Sequence, residues 1–416
     1  MNLFDLTAVL ITLAAAFGYV NYRWVRLPPT TGILSLALGG SLLMLVADHL
    51  LPQWCLRQSV NTVLGRVDFN EALLHGMLCF LLFAGSLHLR FEDLRTNKWT
   101  IVALATLGVI LSTALVGFAA FYLFNALGLP VPLSLCLVFG AILSPTDPIA
   151  VLALLKELKA PKDLEAVIAG ESLFNDGVGV VVFLGLLPLA LPGGDGAGAL
   201  DSPHLGFLFL REVAGGILLG LASGWVAFRA LKSIDVHQLE LLITLALAMF
   251  TYSLSFKLEV SGPIAVVVAG LLIGNHGKRL AMSPRTTEHV DAFWGMMDDI
   301  LNAVLFLLIG LLGFDPRLSL QAFGAVLASI PLVLGSRFLS VLLPTALLGW
   351  NREGRRGMVP ILTWGGLRGG LSVAMVLSLP PLPEKELLLS CTYAVVLFSV
   401  LVQGSTMRRL LSRFDV

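Results

Sequence analysis

Apolar stretches long enough to cross a lipid bilayer recur along almost the whole of this 416-residue chain. A spanning helix needs about 20 mostly apolar residues. Such stretches fall at 3–22, 30–51, 70–90, 100–126, 132–155, 163–191, 205–231, 238–258, 260–276, 296–314, 320–349, 358–380 and 386–406, separated by short polar links. Hydrophobic residues make up 57% of the chain and charged residues 13%, about half the charged share of roughly 25% in a soluble domain. Mean hydropathy is +0.89, which excludes a water-soluble globule of ordinary build. Hydrocarbon offers no hydrogen bonds, so each span must satisfy its own backbone as a helix. The expected fold is an all-α polytopic membrane protein of about thirteen transmembrane helices. It forms a single transporter-sized domain over 1–416, with 407–416 as a short tail. The N-terminus carries Asp5 and no basic residue before its apolar run, which reads as a retained anchor and not a cleaved signal peptide.

Lysine plus arginine balances aspartate plus glutamate at 27 each, so there is no basic excess to bind nucleic acid. Cys55, Cys79, Cys136 and Cys391 lie far apart and form no CxxC or Cys/His pattern, and they read as small hydrophobes. Gly193-Gly194-Asp195-Gly196 is not followed by Lys-Ser/Thr and reads as a loop, not a nucleotide cradle. No resident cofactor or nucleotide is expected. With the N-terminus outside, nineteen of the Lys and Arg residues fall on cytoplasmic links and the tail, and six on the opposite side. That bias favours an N-out, C-in arrangement in the cell membrane.

Residues 1–191 and 238–406 are then expected to be two six-helix halves joined by a linking helix at 205–231. Equivalent helices would lie seven apart, an odd number, so the halves would be inverted. Interrupted helices at matching places are the usual sign of that plan. The fifth span is interrupted by Ser144-Pro145-Thr146-Asp147-Pro148, and the twelfth by Thr363-Trp364-Gly365-Gly366-Leu367-Arg368-Gly369-Gly370.

Five ionisable residues lie deep in these spans: Asp147, Glu171, Asp176, Arg337 and Arg368. Each costs roughly 2.5–3.5 kcal/mol at a helix centre, so it must pair, face water or carry function. Three carboxylates against two guanidiniums leave one negative charge for a proton or a solution cation. On the sixth span Ser172 and Asp176 share one helix face, and Glu171 and Asn175 the next. Pro145 and Pro148 lack donor N–H groups and free carbonyls near Thr146 and Asp147. Arg368 is expected to neutralise carbonyl ends of broken helices or to pair with an acid. Outside this group, His75 reads as a satisfied membrane histidine, and Asp298 and Asp299 as helix-start acids or funnel residues.

SPTDP, then GESLFNDG, and later GLRGG together resemble the cation:proton antiporter-1 family, which includes NhaP-type antiporters and the animal sodium/hydrogen exchangers. The resemblance covers essentially the whole membrane region. It implies a homodimer whose transport domain moves against a dimerisation domain. It implies ion or proton binding at Thr146, Asp147, Ser172 and Asp176, with the transported Na+ as the only metal. Asn175 would hold the place where an electrogenic sister family carries a second Asp. Glu171 would pair with Arg368, and Arg337 would match a basic residue of the eleventh helix. One departure stands out: many members carry an acid in the third span, where this chain has Ala84 within Phe83-Ala84-Gly85-Ser86-Leu87.

The expected function is electroneutral exchange of Na+ for H+ across the membrane, serving cation and pH homeostasis. K+ or Li+ as the cation stays open. An uncoupled channel and an intramembrane aspartyl protease are the alternatives from other classes. The protease signature Gly-x-Gly-Asp is absent.

Overall fold

A computed structural model of the chain describes residues 3–50, 76–158, 160–191, 203–312, 319–348 and 352–414. Cys55, His75 and the Gly193–Gly196 stretch lie outside the described residues. The described residues are almost entirely helical and contain no strand. In order they form α1 (Leu3–Val20), α2 (Pro29–Leu50), α3 (Leu78–Leu87) and the short α4 (Phe91–Thr96). Next come α5 (Lys98–Ala126), α6 (Leu133–Ile142), α7 (Ile149–Leu158) and α8 (Lys162–Ala190). They are followed by α9 (Pro203–Leu231), α10 (His237–Lys257), α11 (Gly262–Leu272), α12 (Pro284–Leu312) and α13 (Leu320–Leu347). The chain ends with α14 (Arg352–Gly365), α15 (Gly370–Leu377) and α16 (Lys385–Leu411). Among the described residues nine helices are long and apolar enough to cross a membrane, so the protein is a multi-pass membrane protein.

The helices associate as two bundles. One gathers α1, α2, α3, α9, α10, α11 and α12; the other gathers α5, α6, α7, α8, α13, α14, α15 and α16. Close packing inside each bundle relies on small residues. A side chain at Gly140 of α6 would strike the backbone of α5 at Thr113, and one at Gly270 of α11 would strike Ser86 of α3. Contacts between the bundles are sparser, running mainly from α8 to α9, α11 and α3, and from α12 to α15.

Both sequence interruptions are real breaks. The ladder stops at Ile142 and resumes at Ile149, and stops again at Gly365 and resumes at Gly370. The two unwound segments cross, and the Asp147 N–H donates to the Leu367 carbonyl at 2.8 Å. Prolines set the first break: Pro145 and Pro148 supply no N–H, and Pro148 occupies the position just before α7, where a missing donor costs nothing. The Asp147 carboxylate then caps α7 by accepting from the Ile149 N–H at 3.0 Å. Glycine sets the second break. A Cβ at Gly369 would overlap the Asp147 side chain, and one at Gly366 would overlap the Arg337 guanidinium.

The carbonyl ends of the broken helices are closed by arginines. Arg368 Nη1 donates to the carbonyls of Ser144 at 2.6 Å and Pro145 at 2.8 Å, beyond the C-terminus of α6. Arg337 of α13 donates to the Leu362 carbonyl at 3.1 Å in the last turn of α14. It also grips both carboxylate oxygens of Glu171 on α8, at 2.6 and 3.0 Å. The expected Glu171–Arg368 pair is therefore corrected to Glu171–Arg337. Arg368 is committed to carbonyls that the prolines left open, whereas Arg337 presents its planar fork to the carboxylate in the bidentate geometry that guanidinium favours.

Both partners of that pair are buried. Glu171→Ala or Arg337→Ala should each destabilise the protein by roughly 3–5 kcal/mol, because the remaining charge is stranded, and the double variant should lose less than the sum. Thermal unfolding in detergent reads this directly. A double variant destabilised by the full sum of the two singles would refute the coupling.

Candidate functional site

The crossing of the broken helices sits beside the middle of α8, where one face carries Ser172 and Asp176 a turn apart. Thr146 is the hinge between them. Its hydroxyl lies 3.0 Å from the Ser172 hydroxyl. Asn175 uses both ends of its amide on the same residue: Nδ2 donates to Thr146 Oγ1 at 2.8 Å, and Oδ1 accepts from the Thr146 N–H at 3.3 Å. Thr146, Ser172 and Asn175 are all buried. A span whose backbone ladder is interrupted by proline is thus held in place by side chains of the neighbouring helix, as buried polar groups require.

Asp147 lies where two helix N-termini converge. It caps α7 directly, and Gly369 at the start of α15 approaches its side chain closely enough that any Cβ would collide. The positive ends of two half-helices therefore face one carboxylate. Asp176 is close enough to feel both the Asp147 and the Arg368 charges. Its Oδ1 is buried and has no hydrogen-bond partner. Glu171 is fully occupied by Arg337 and stands apart from this group.

A cavity of about 650 Å³ opens between the two bundles and reaches these acids. Its outer end carries Arg90, Asp93, Lys156, Lys162 and Glu165, and its inner end Thr146, Asp147 and Asp176. Ser172 and Asn175 are not among its lining residues, so they sit behind Thr146 and Asp176. No cluster of three or more His, Cys, Asp or Glu residues suited to a resident metal occurs among the described residues. The site offers carboxylate and hydroxyl oxygens, the ligand type that hard cations prefer.

Four further polar residues line the same cavity: His88 just past α3, Asp298 and Asn302 on α12, and Ser372 on α15. Asp298 is not the helix-start acid expected from the sequence: its helix begins at Pro284, so it lies in the helix interior, and it lines the cavity. Asn302 and Ser372 did not stand out in the sequence. The i, i+4 spacing of Asp298 and Asn302 on one apolar helix is the signal that marks the first. Ser372 lies two residues past the glycine break, and only the packing reveals it. Ala84 of α3 is completely buried and does not line the cavity, whereas Leu81, Leu82 and Gly85 of the same helix do.

Comparison with known proteins matches this architecture. Residues 9–413 fit the family model described as sodium/hydrogen exchanger, transmembrane. The chain is 46% identical to the Na(+)/H(+) antiporter NhaP of Pseudomonas aeruginosa, covering 98% of this chain and 96% of that one. It is 36% identical to the Na(+)/H(+) antiporter NhaH of Halobacillus dabanensis over 84% of each chain. Its fold is similar to the solved structure of the sodium proton antiporter MjNhaP1 from Methanocaldococcus jannaschii at pH 8, with a TM-score of 0.76 at 18% identity, covering 100% of this chain and 99% of that one. With a family match that spans nearly every helix described above, the chain belongs to the sodium/hydrogen exchanger family of transmembrane transporters.

Proposed function

We propose that the protein is a secondary antiporter that exchanges Na+ for H+ in the cell membrane, with Asp176 and Asp147 as the groups for which the two ions compete. The observation that carries this is the state of the charges at the inner end of the cavity. Glu171 and Arg337 neutralise one another. Arg368 alone balances the pair Asp147 and Asp176, and it is bound to two carbonyls. One negative charge is left over, at the end of a path open to solution. A proton or one Na+ neutralises it equally, which favours one-for-one electroneutral exchange. The relatives named as Na(+)/H(+) antiporters support the same cation and proton.

Thr146 and Ser172 supply neutral oxygens beside the acids, and Asn175 is a positioning residue that fixes Thr146. The Lys and Arg distribution supports a cytoplasmic position for the open end of the cavity. Exchange then requires the bundle carrying the crossing to move against the other until the site faces outward, as in other transporters built on broken helices. The same reading includes a homodimer, thirteen spans and a role in cation and pH homeostasis.

Asp176→Asn keeps the shape but removes the titratable charge, so it should abolish sodium-driven proton flux while the protein still inserts. Proteoliposomes with an enclosed pH dye, challenged in turn with Na+, Li+ and K+, measure this and rank the cations. Flux retained in Asp176→Asn would sink the assignment, and a wild type driven by K+ but not Na+ would change the cation.

Direct competition also fixes a sign. Protons occupy the carboxylate at low pH and exclude the cation, so the apparent KM for Na+ should fall as pH rises, and a flat KM would refute a shared site. Because one charge replaces one charge, the wild-type rate should be insensitive to an imposed membrane potential. A rate that follows the potential would overturn the one-for-one count.

A further inference from the structure

Asp298, Asn302 and Ser372 form a second polar group in the cavity, outside the crossing. Asp298 and Asn302 stand one turn apart on α12, tied by the Asn302 Nδ2 bond to the Asp298 carbonyl at 2.9 Å. That bond spends one amide hydrogen of Asn302 on the main chain. Asp298 feels the charge of Asp147 across the cavity. Ser372, on α15, is 1% exposed, lines the cavity, and its hydroxyl has no hydrogen-bond partner. A buried hydroxyl without a partner costs free energy unless something occupies the space before it. A carboxylate, an amide and an orphan hydroxyl on the wall of a water-accessible cavity supply the oxygens that a monovalent cation needs when it sheds part of its hydration shell.

The two sides of this group belong to different bundles. Asp298 and Asn302 are on α12, in the bundle with α2 and α3, while Ser372 is on α15, beside Gly369 and Asp147 in the other. The three residues therefore line one cavity only in the arrangement seen here, and relative movement of the bundles changes their spacing.

We propose that Asp298, Asn302 and Ser372 form an entry site for the transported monovalent cation, assembled between the two bundles only while the cavity is open to this side. This rests on the exchange reading above and adds to it a second cation position with its own residues. A cation there is concentrated within reach of Asp147 and Asp176. By binding one arrangement of the bundles and not the other, it also shifts the population toward the state that loads. The site carries a carboxylate on a helix other than α3, whose place in the relatives' pattern is taken by Ala84. Asp298 stays with its own bundle, so it leaves the charge carried by the moving crossing unchanged.

The test compares Asp298→Asn, Ser372→Ala and Asp299→Asn in proteoliposomes with the pH dye, titrating Na+ separately on each face. Asp299 is the control: it makes the same charge change one residue away, on an exposed side chain that does not line the cavity. Asp298→Asn should raise the apparent KM for Na+ by roughly tenfold on the face where the cavity opens, the scale of one carboxylate lost from the ion's field, with kcat little changed. Ser372→Ala should raise it less, and Asp299→Asn should leave it unchanged. An unchanged KM in Asp298→Asn, or an equal rise in Asp299→Asn, would overturn the entry site.

A second measurement separates this site from the exchange reading. Radioactive Na+ binding to purified Asp176→Asn should retain a weak component that Asp298→Asn removes. A wild type with no sodium-driven flux overturns the exchange reading, and the binding measurement then decides the entry site by itself. Absence of any Asp298-dependent Na+ binding overturns that site even if exchange proceeds.

Discussion

The fold depends on one hydrogen bond between two unwound segments and on the arginine beside it. Where two unwound segments cross inside a membrane, their N–H and C=O groups have no water to fall back on, and each unsatisfied group costs several kcal/mol. The Asp147 N–H reaches the Leu367 carbonyl, and Arg368 covers the Ser144 and Pro145 carbonyls. Every feature of the site follows from keeping that crossing intact. Asp147 is held at a helix start, Thr146 is turned toward α8, and glycines at 366 and 369 leave room for the groups that serve the crossing.

The same demand divides labour among the charges. The two arginines both close carbonyl ends, but among the described residues only Arg337 also forms a salt bridge with an acid. Its pair with Glu171 joins α8 to α13 within one bundle and stiffens it, so that the crossing and the face of α8 that carries Asp176 belong to one packed unit. The gap between the bundles is left open, and the two acids at its inner end, Asp147 and Asp176, enter no salt bridge among the described residues. Rigidity and an unspent charge thus come from the same short list of residues, sorted by which acid the guanidinium fork meets.

Much of this was legible in the sequence. Apolar length fixed the all-helical membrane class, and SPTDP and GLRGG marked both breaks because proline and clustered glycine have local, backbone-level effects that need no knowledge of neighbours. The shared face of Ser172 and Asp176 followed from helical periodicity alone. The pairing of Glu171 did not, since Arg337 and Arg368 are equally charged and both lie deep; only the three-dimensional approach of α13 to α8 chooses between them. Ser372 was invisible for a related reason. A serine in an apolar helix is ordinary until its hydroxyl is found buried and unbonded on a residue that lines a cavity. The place of Ala84 was legible as a departure, but that it is buried away from the cavity lining is a property of packing.

The amide of Asn175 couples two traits that would otherwise be free to vary. It donates to the Thr146 hydroxyl and accepts from the Thr146 main chain, and an ionised carboxylate in its place accepts at both ends and donates at neither. An aspartate there would set an acceptor against a hydroxyl now serving as acceptor, so the Thr146 hydroxyl would have to donate to it, and the Ser172 hydroxyl would then have to donate to Thr146. Changing the charge at this position therefore reverses the donor order along the chain from 175 through Thr146 to Ser172. Only hydroxyls at 146 and 172 can make that reversal, so the residues tolerated at 175 depend on those at the other two positions.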